Sequence, residues 1–311
     1  MRQPKRKSRL VKYKKKKNTS HKSLIIAGIC LLLIASSYLF LSLTTKYWSS
    51  HERVSLVINN PNGDLTVTTF NRESGEINNI QIPGSTQLVV SRQLGSWKAK
   101  SVWKLGENEK LGGELLRESI IKNFHFPVVA WADSHATGLA SGNFWSAIKS
   151  IFLIRKTNLG VGDRIKMAIF SIGVNNMKRN EINLAQTSYL KKARLVDGED
   201  GYLISGGLPN NLLIIFAEPA IAKRGLKANI IDASGKNLLG QDVGETLEVL
   251  GIKVASVEKQ AADKDDCSIK GTDTKIVRKL AQLFSCQKEI KSLDSKFDIE
   301  FKIGESFAKR Y

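Results

Sequence analysis

The sequence predicts an α/β protein that carries one membrane-spanning helix near its N-terminus. A run of twenty uncharged residues, Leu24–Leu43, follows a strongly basic start. Strand-like and helix-like patterns then alternate through residues 50–220 and again through residues 225–311. The 311 residues include 42% hydrophobic and 25% charged side chains, which is typical of globular domains and excludes a fibre or wholesale disorder.

The net charge of +19 is distributed very unevenly along the chain. Residues 1–22 contain eleven Lys or Arg and no acidic residue, whereas residues 46–311 carry a net charge of only +8. A helix of twenty residues is about 30 Å long, which matches the hydrocarbon core of a bilayer. Because basic residues stay on the cytoplasmic side, we predict a cytoplasmic tail (1–22), a transmembrane helix (23–45) and an extracytoplasmic remainder.

Two other interpretations of this region have different consequences. A cleaved signal peptide would use Ala35-Ser36-Ser37 as its small-residue site, although the apolar run continues beyond it. A nucleic-acid-binding arm would explain the basic tail, but the membrane span that follows directly argues against it. We therefore expect the membrane as a partner and no nucleic acid.

The segment 50–220 is predicted to be an α/β domain. Two strands, Val54–Asn59 and Leu65–Phe70, flank Asn60-Pro61-Asn62-Gly63, whose Asn-Gly pair favours a hairpin turn. Apolar periodicity predicts the elements that follow, which are a strand at Ile77–Ile82, a helix at Glu107–Asn123, a strand at Phe126–Trp131, helices at Phe144–Ile154 and Asp163–Ile172, and a hairpin-like region at Asp197–Gly207. The nearly apolar helix Phe144–Ile154 is either a core helix or the lining of a groove for an apolar chain.

Residues 225–311 are predicted to form a small β-α-β-β-α-β two-layer sandwich. Its strands are Leu226–Ile231, Ile252–Val257, Cys267–Lys270 and Phe297–Ile303, and the apolar faces of its helices lie at Val243–Leu250 and Ile276–Phe284. Cys267 begins a strand and Cys286 ends the helix that runs back along it, so both lie at one end of the unit. The two cysteines therefore form a disulfide in an oxidising compartment or remain buried free thiols.

No constellation of side chains predicts a catalytic or metal site. Asp133, Ser134 and His135 are adjacent in sequence, which rarely places a triad in reacting geometry. His125 and His135 lie at opposite ends of a predicted strand without a third partner, so no metal is expected. The segment Gly160-Val161-Gly162-Asp163-Arg164 lacks the Gly-Lys-Ser/Thr of a phosphate-binding loop and is expected only to break the chain before a helix.

Basic residues and tryptophans interleave over residues 92–104. The basic members are Arg92, Lys98, Lys100 and Lys104, and the aromatic members are Trp97 and Trp103. Aromatic rings stack on sugars while cations contact phosphate, so this segment is a candidate patch for an anionic ligand. The alternative is a solvated hairpin whose tryptophans pack inward.

Residues Ser101–Pro127 contain Gly112-Gly113-Glu114-Leu115 in a predicted helix that leads into a strand, and Ile80–Thr86 is a strand ending in Pro-Gly-Ser-Thr. Both stretches resemble LytR-CpsA-Psr (LCP) cell-envelope proteins, in which a Gly-Gly-Glu-Leu helix leads into a strand and the earlier strand ends in Pro-Arg-Asp-Thr. The pattern of the LytR C-terminal domain is matched by Ile230–Gly235, Leu250–Val257 and Phe297–Glu305. The resemblance implies an LCP-like domain over residues 50–220 and a LytR-type C-terminal domain over residues 225–311.

The resemblance also implies an activity, the transfer of anionic glycopolymers from a polyprenyl-pyrophosphate carrier to peptidoglycan with Mg²⁺ on the pyrophosphate. An arginine at the family's motif grips pyrophosphate oxygens, and carboxylates hold the metal. Here the Arg-Asp positions of the motif read Gly84 and Ser85, and neither side chain is charged. In the region of the family's later Arg-rich segment stand Arg155, Lys156 and Arg164.

These departures predict a degenerate relative without catalytic residues. We expect a membrane-anchored extracytoplasmic protein of cell-envelope assembly that binds or scaffolds an anionic wall polymer or a polyprenyl-phosphate carrier, without a cofactor. The candidate ligand-binding residues are Arg92, Lys98, Lys100 and Arg164. The alternative is an LCP-type phosphotransferase, in which bases such as Arg92 or Arg164 replace the missing arginine and Mg²⁺ assists.

Overall fold

The computed structural model describes residues 21–48, 53–293 and 296–311, and the chain divides into two compact units, residues 1–43 and 44–311. The first unit contains the helix α1 (His21–Thr44). Within it, Ile25–Thr44 is long and apolar enough to cross a membrane. The predicted span is therefore observed as a helix, while most of the predicted basic tail lies outside the described residues.

Strands and helices alternate along residues 44–222 of the second unit. In chain order they are β1 (Arg53–Asn59), β2 (Leu65–Asn71), β3 (Glu76–Ile82), β4 (Gln87–Val89), β5 (Ser96–Lys98), α2 (Ala99–Asn108), α3 (Glu114–Phe124), β6 (Ala130–Ala132), α4 (Phe144–Leu153), α5 (Val161–Gly173), β7 (Arg179–Asn183), β8 (Leu190–Arg194), β9 (Asp200–Ile204), α6 (Asn210–Phe216) and α7 (Pro219–Ala222). The first sheet has the order β6-β1-β2-β3-β7, an antiparallel meander of β1, β2 and β3 with a parallel strand on each side. β4 pairs with β5, and β8 pairs with β9, in two separate hairpins.

The predicted hairpin at the start of the sheet is confirmed. β1 and β2 pair antiparallel from Arg53 opposite Asn71 to Asn59 opposite Leu65. In the connecting turn the Gly63 N–H donates to the Asn60 carbonyl at 3.0 Å, and Gly63 has a φ of +86°. A positive φ is accessible to glycine without the steric cost that other residues incur, so the Asn-Gly signal identifies the turn correctly.

The single helix predicted over Glu107–Asn123 is wrong, because the structure contains α2 and α3 with a break between them. Gly112 has a φ of +57°, which ends helical geometry. A Cβ atom at Gly113 would lie 2.3 Å from the Trp131 ring, so only glycine fits where this ring packs. The predicted strand Phe126–Trp131 is also shorter than expected, since pairing begins at Ala130.

The apolar helix predicted at Phe144–Ile154 is present as α4, but the expectation of a core helix is wrong. Its buried residues are Ala147 and Ser150, whereas Trp145 and Phe152 are exposed. Apolar composition alone predicts burial, and composition does not reveal which face of a helix lacks a neighbour.

The remainder of the second unit forms a second five-stranded sheet. Its elements are β10 (Lys227–Ala233), α8 (Leu239–Val249), β11 (Lys253–Lys259), β12 (Cys267–Gly271), α9 (Thr274–Phe284), β13 (Gln287–Ile290), β14 (Ile299–Gly304) and α10 (Glu305–Arg310). The strand order is β11-β10-β14-β12-β13. The predicted β-α-β-β-α-β order is observed with two additions, β13 and α10. The mostly exposed strand β13 lacks the apolar alternation that reveals half-buried strands.

One apolar cluster runs through both sheets. It contains Leu56 of β1 and Met167 of α5 together with Ile230 of β10 and Leu280 of α9. The two predicted domains, residues 50–220 and 225–311, thus belong to one compact unit, and the boundary between them remains a prediction.

The structure joins Cys267 and Cys286, the two cysteines whose pairing the sequence left open, by a disulfide. Their Cα atoms are 5.1 Å apart, and Cys267 begins β12 while Cys286 follows α9. Cys30, in α1, is free.

Replacing both Cys267 and Cys286 with serine is expected to lower the free energy of unfolding by about 3 kcal/mol, because the bridge closes a loop of moderate length in the unfolded chain. The sequence separation of the two cysteines is 19. Urea unfolding of the double variant measures the change, with Cys30→Ser as the matched control that retains full stability. Reduction of the unaltered protein should reproduce the effect of the double variant, and an unchanged midpoint after reduction would contradict the prediction.

Candidate anion-binding site

The loop that follows β3 holds the two positions where the family motif has Arg and Asp. The Gly84 N–H donates to Asp64 Oδ1 at 2.7 Å, and the Gly84 carbonyl accepts the Lys100 N–H at 3.0 Å. A Cβ atom at Gly84 would lie 2.5 Å from the Gly63 carbonyl oxygen. Because that contact is with backbone, no side chain fits at position 84 unless the β1–β2 turn moves.

A pocket of about 480 Å³ lies between this turn and α2. Its lining consists of Pro61, Asn62, Gly63, Trp97, Lys100, Ser101, Lys104, Leu105 and Asn108. The five α2 members are spaced so that they share one face of the helix, which is how the sequence brings two lysines together. We call this cavity the Lys100 pocket.

The Lys100 pocket is electropositive. Among its described lining residues two are lysines and none is Asp or Glu. The nearby carboxylate of Asp64 is engaged in accepting the Gly84 N–H and the Asn62 side-chain amide, the latter at 2.8 Å. Trp97 donates its indole N–H to the Leu94 carbonyl at 2.8 Å, which fixes the orientation of a partly exposed ring. Two cations and an aromatic face suit an anionic sugar or a phosphate.

Lys100 is the member of the predicted ligand-binding set that lines this pocket, and Lys98 lies close to it in sequence but is engaged elsewhere. Lys98 forms ion pairs with Asp197, at 2.7 Å, and with Glu199. The hydrogen bonds that Lys98 donates to these two carboxylates, Asp197 first, raise the pKa of Lys98. The pairs connect β5 to the β8–β9 hairpin.

The two predicted arginines also contact internal groups. Arg92 donates to both carboxylate oxygens of Glu118, at 2.9 and 3.0 Å. Burial raises the pKa of Glu118, although Arg92 opposes that shift. Arg164 donates to the carbonyls of Ile151 and Ile154 at the end of α4, at 3.3 and 3.2 Å, and burial lowers its pKa. The structure therefore brings neither arginine to the Gly84 loop.

A second pocket, of about 510 Å³, lies next to Ser85 of the same loop. Its lining consists of Ser85, Lys192, Ala193, Arg194, Asp200, Gly201 and Tyr202. The Ser85 carbonyl accepts the Tyr202 N–H at 3.3 Å, which attaches the β8–β9 hairpin to the loop. Lys192 and Arg194 are not among the ligand-binding residues predicted from the sequence. Their alternation along a strand was the available signal, since residues two apart share one face.

The Asp133-Ser134-His135 segment caps a turn. Asp133 Oδ1 accepts the His135 N–H at 3.0 Å, and Oδ2 accepts the N–H groups of Arg155 and Lys156, both at 2.9 Å. Burial acts to raise the pKa of Asp133, but these backbone donors outweigh it and the pKa is lowered. His125 instead lies 3.0 Å from Glu245. Within the described part of the chain, no three His, Cys, Asp or Glu side chains are grouped as a metal site would require.

Several solved structures are similar to about half of this chain. They include TagT of B. subtilis, which is 12% identical and covers 52% of this chain and 88% of that chain with a TM-score of 0.37. A structure described as the LytR-CPS2A-psr family protein YwtF (TagT) with bound octaprenyl pyrophosphate lipid is also 12% identical, covers 52% of this chain and 87% of that one, and has a TM-score of 0.37. The Lin1025 protein from Listeria innocua is 11% identical, covers 50% and 92%, and has a TM-score of 0.36.

No protein-family model matches the chain, and no curated protein matches it either. The matching structures agree with the family resemblance seen in the sequence.

Proposed function

We propose that this chain is a membrane-anchored extracytoplasmic protein of cell-envelope assembly that binds an anionic wall polymer or a polyprenyl-phosphate carrier without catalysing its transfer. The apolar helix Ile25–Thr44, preceded by a basic tail, supports the anchor and its orientation. The disulfide between Cys267 and Cys286 supports an oxidising compartment outside the cytoplasm.

The main support for the binding role comes from the Lys100 pocket. Lys100 and Lys104 supply positive charge, Trp97 supplies a surface for a sugar ring, and Asn62 and Asn108 supply amide donors. A volume of about 480 Å³ lies in the range of pockets that enclose small ligands. A phosphate group bearing a sugar has the size and charge that this combination recognises.

The Gly84 loop supports binding over transfer. Phosphoryl transfer from a pyrophosphate requires cations that stabilise the leaving group, and Mg²⁺ requires carboxylate oxygens to hold it. Position 84 has no room for the arginine of the family motif, because a Cβ atom there meets the Gly63 carbonyl. Lys100 and Lys104 attract an anion, but no carboxylate among the described lining residues of their pocket is placed to bind a metal.

The second pocket favours the alternative, a phosphotransferase of the LCP type. Lys192 and Arg194 lie in it with Asp200, directly beside Ser85, so it offers two cations and one carboxylate. In that case Mg²⁺ and the pyrophosphate would occupy this pocket instead of the Lys100 pocket. The two candidate functions therefore differ in the basic residues that bind the ligand, which are Lys100 and Lys104 in one case and Lys192 and Arg194 in the other. They also differ in whether binding requires Mg²⁺.

Replacing Lys100 and Lys104 together with alanine is expected to weaken the binding of farnesyl pyrophosphate, a short prenyl pyrophosphate, by about a hundredfold. Each charge-assisted contact contributes about 1.5 kcal/mol, which corresponds to about tenfold in affinity. Isothermal titration calorimetry on the full-length chain in nanodiscs, with and without Mg²⁺, provides the measurement. The matched control is Lys253→Ala with Lys288→Ala, two exposed lysines of the second sheet.

Binding that is independent of Mg²⁺ and is lost in the Lys100/Lys104 variant supports the non-catalytic role. Binding that requires Mg²⁺ and is lost instead on replacing Lys192 and Arg194 supports the phosphotransferase. Unchanged binding in both variants would contradict both assignments of the site.

A further inference from the structure

The helical pair α4 and α5 carries an exposed apolar surface that the proposed ligand site does not use. Trp145 and Phe152 of α4 are 69% and 78% exposed, and Ile169 of α5 is 66% exposed. These three residues form a patch with Phe144, Val161 and Ile172, and we call this patch the α4–α5 surface. Large exposed apolar side chains grouped in this way mark a site of contact with a protein or a membrane.

Both helices present these side chains away from the protein core. The Gly142 N–H donates to Ser171 Oγ at 3.1 Å, and Arg164 contacts the carbonyls at the other end of α4, so α4 and α5 lie antiparallel. The opposite faces of the helices are buried, with Ala147 on α4 and Met167 on α5 in one apolar cluster. Since both buried faces contact the same core, both exposed faces point outward together.

The positive charge of this region is complementary to an anionic surface. Residues 134–180 contain seven basic residues and one acidic residue, Asp163, which is fully buried. The segment thus accounts for most of the net charge of +8 on residues 46–311. Lys149 on α4 and Arg155 directly after it are both exposed. Basic residues are attracted by the negative surface potential of an anionic leaflet.

The first turn of α5 is held next to the residues that follow the apolar helix in the chain. Asp163 accepts the N–H groups of Lys46, Tyr47 and Trp48, at 2.9 to 3.1 Å. Lys46 is two residues beyond Thr44, where the apolar segment ends. The Gly162 N–H of α5 also donates to Thr44 Oγ1 at 3.1 Å, so the start of α5 contacts the residue at which the apolar segment ends.

We propose that the α4–α5 surface docks on the anionic lipid leaflet from which the membrane span emerges, an inference that rests on the membrane anchoring of the proposed function. Trp145 and Phe152 enter the headgroup region, where aromatic side chains are favoured. Lys149 and Arg155 contact lipid phosphates. An amphipathic surface of this kind lies in the plane of the membrane and fixes the orientation of residues 44–311 on it.

Spin labels test the docking on the full-length chain. In a Cys30→Ser background, a nitroxide is attached to Phe152→Cys or Ile169→Cys, and the protein is reconstituted in vesicles of phosphatidylglycerol and phosphatidylethanolamine. Collision with oxygen and with a water-soluble nickel complex reports the depth of each label. We expect an oxygen-to-nickel accessibility ratio several-fold higher at both positions than at Val196→Cys, an exposed apolar residue in the β8–β9 turn.

Reversing the charge of Lys149 and Arg155 to glutamate is expected to lower that ratio at Ile169→Cys towards the value for water. The matched control reverses Lys253 and Lys288, which lie on the second sheet, and keeps the full ratio. An unchanged ratio in the Lys149/Arg155 variant would contradict the role of anionic lipid.

Water-like ratios at both labelled positions, in protein that stays in the vesicles after an alkaline wash, would overturn the docking and leave the anchor intact. Loss of the protein in that wash would overturn the anchor and the docking together. Labels shielded from both probes, with dipolar broadening between chains, would assign the surface to a second copy of the chain and overturn lipid contact. Failure of ligand binding at the Lys100 pocket changes none of these readouts, so the two proposals are tested separately.

Discussion

Replacing Asp163 with asparagine is expected to lower the free energy of unfolding of the protein by about 3–5 kcal/mol. The carboxylate is fully buried and accepts the N–H groups of Lys46, Tyr47 and Trp48, and that of Gly160 at 3.0 Å. An asparagine side chain retains one acceptor oxygen and places an N–H₂ group where the other oxygen was. Several buried donors then lose their acceptor, and each costs about 1–3 kcal/mol.

Asp163 lies in the first turn of α5, where the helix dipole favours negative charge. The close approach that it stabilises also depends on Gly160, because a Cβ atom there would lie 1.8 Å from the Thr44 carbonyl oxygen. Trp48, which the contact positions, packs edge-on against Phe70 and Phe170 at centroid distances of 6.0 and 5.4 Å. Loss of the carboxylate therefore disturbs both the start of the folded unit and an aromatic cluster.

Denaturant unfolding followed by tryptophan fluorescence measures the loss of stability in Asp163→Asn. Trypsin provides a local readout, since cleavage after Lys46 should accelerate in native conditions. The matched control is Asp200→Asn, whose carboxylate is exposed and whose replacement should change stability by less than about 0.5 kcal/mol. Equal unfolding free energies for the two variants, with no faster cleavage after Lys46, would contradict the role assigned to Asp163.

The sequence predicts the elements with strong periodicity and fails where a partner lies far away in the chain. The β1–β2 hairpin, α5 and the alternation of elements after residue 225 follow from apolar spacing and turn residues, which are local. For the segment Gly160–Arg164 the sequence predicts only the start of a helix. Its contacts with residues 44–48 are not predicted, because those residues are more than a hundred positions away. Lys100 was identified from interleaved charges and tryptophans, but its pocket depends on a hairpin turn that no local pattern connects to α2.

Helix α3 shows why burial is harder to predict than helix formation. Leu115, Ile120 and Ile121 form the apolar face that the sequence indicates, and they are buried. In the pattern of an amphipathic helix, Arg117 and Glu118 are expected on the solvent-exposed face. Both are nevertheless buried, because α3 contacts apolar clusters on more than one side. Apolar periodicity indicates only one buried face of a helix. It does not reveal a second buried face on which charged side chains have hydrogen-bond partners.

Replacing Arg117 with methionine is the other change with a large expected effect, a loss of about 3–5 kcal/mol in the free energy of unfolding. The guanidinium is buried, and its Nη1 donates to the Val128 carbonyl at 3.1 Å and to the Leu283 carbonyl at 2.7 Å. Its Nε donates to Glu114 Oε1 at 2.9 Å. Leu283 belongs to α9 and Glu114 to α3, so one side chain links the two halves of the folded unit. Methionine fills most of the volume but removes the donor to the Val128 and Leu283 carbonyls and to Oε1 of Glu114.

The pH dependence of stability gives a readout that lost packing alone would not change. Burial acts to raise the pKa of Glu114, but Arg117 and the Trp131 indole, which donates at 3.0 Å, outweigh it and the pKa is lowered. A lowered pKa adds stability above the ordinary glutamate pKa of about 4.3, and this stability is lost as the pH falls through the folded-state value. Without Arg117 we expect burial to dominate and the pKa of Glu114 to rise. Its contribution would then be largest at low pH and be lost as the pH increases.

Urea unfolding of Arg117→Met between about pH 3 and pH 6 therefore should show a smaller rise of stability with pH than the unaltered protein. Arg278→Met, an exposed arginine on α9, is the matched control and should keep both the stability and the slope of the unaltered protein. A second variant, Arg117→Met with Glu114→Gln, removes the half-buried negative charge that has lost its cation and should recover part of the lost free energy, because the cost of desolvating that charge disappears. The contradicting outcome is a double variant that is less stable than Arg117→Met by as much as Glu114→Gln alone destabilises the unaltered protein. The two side chains would then not interact, and the link between α3 and α9 would depend on packing instead of charge.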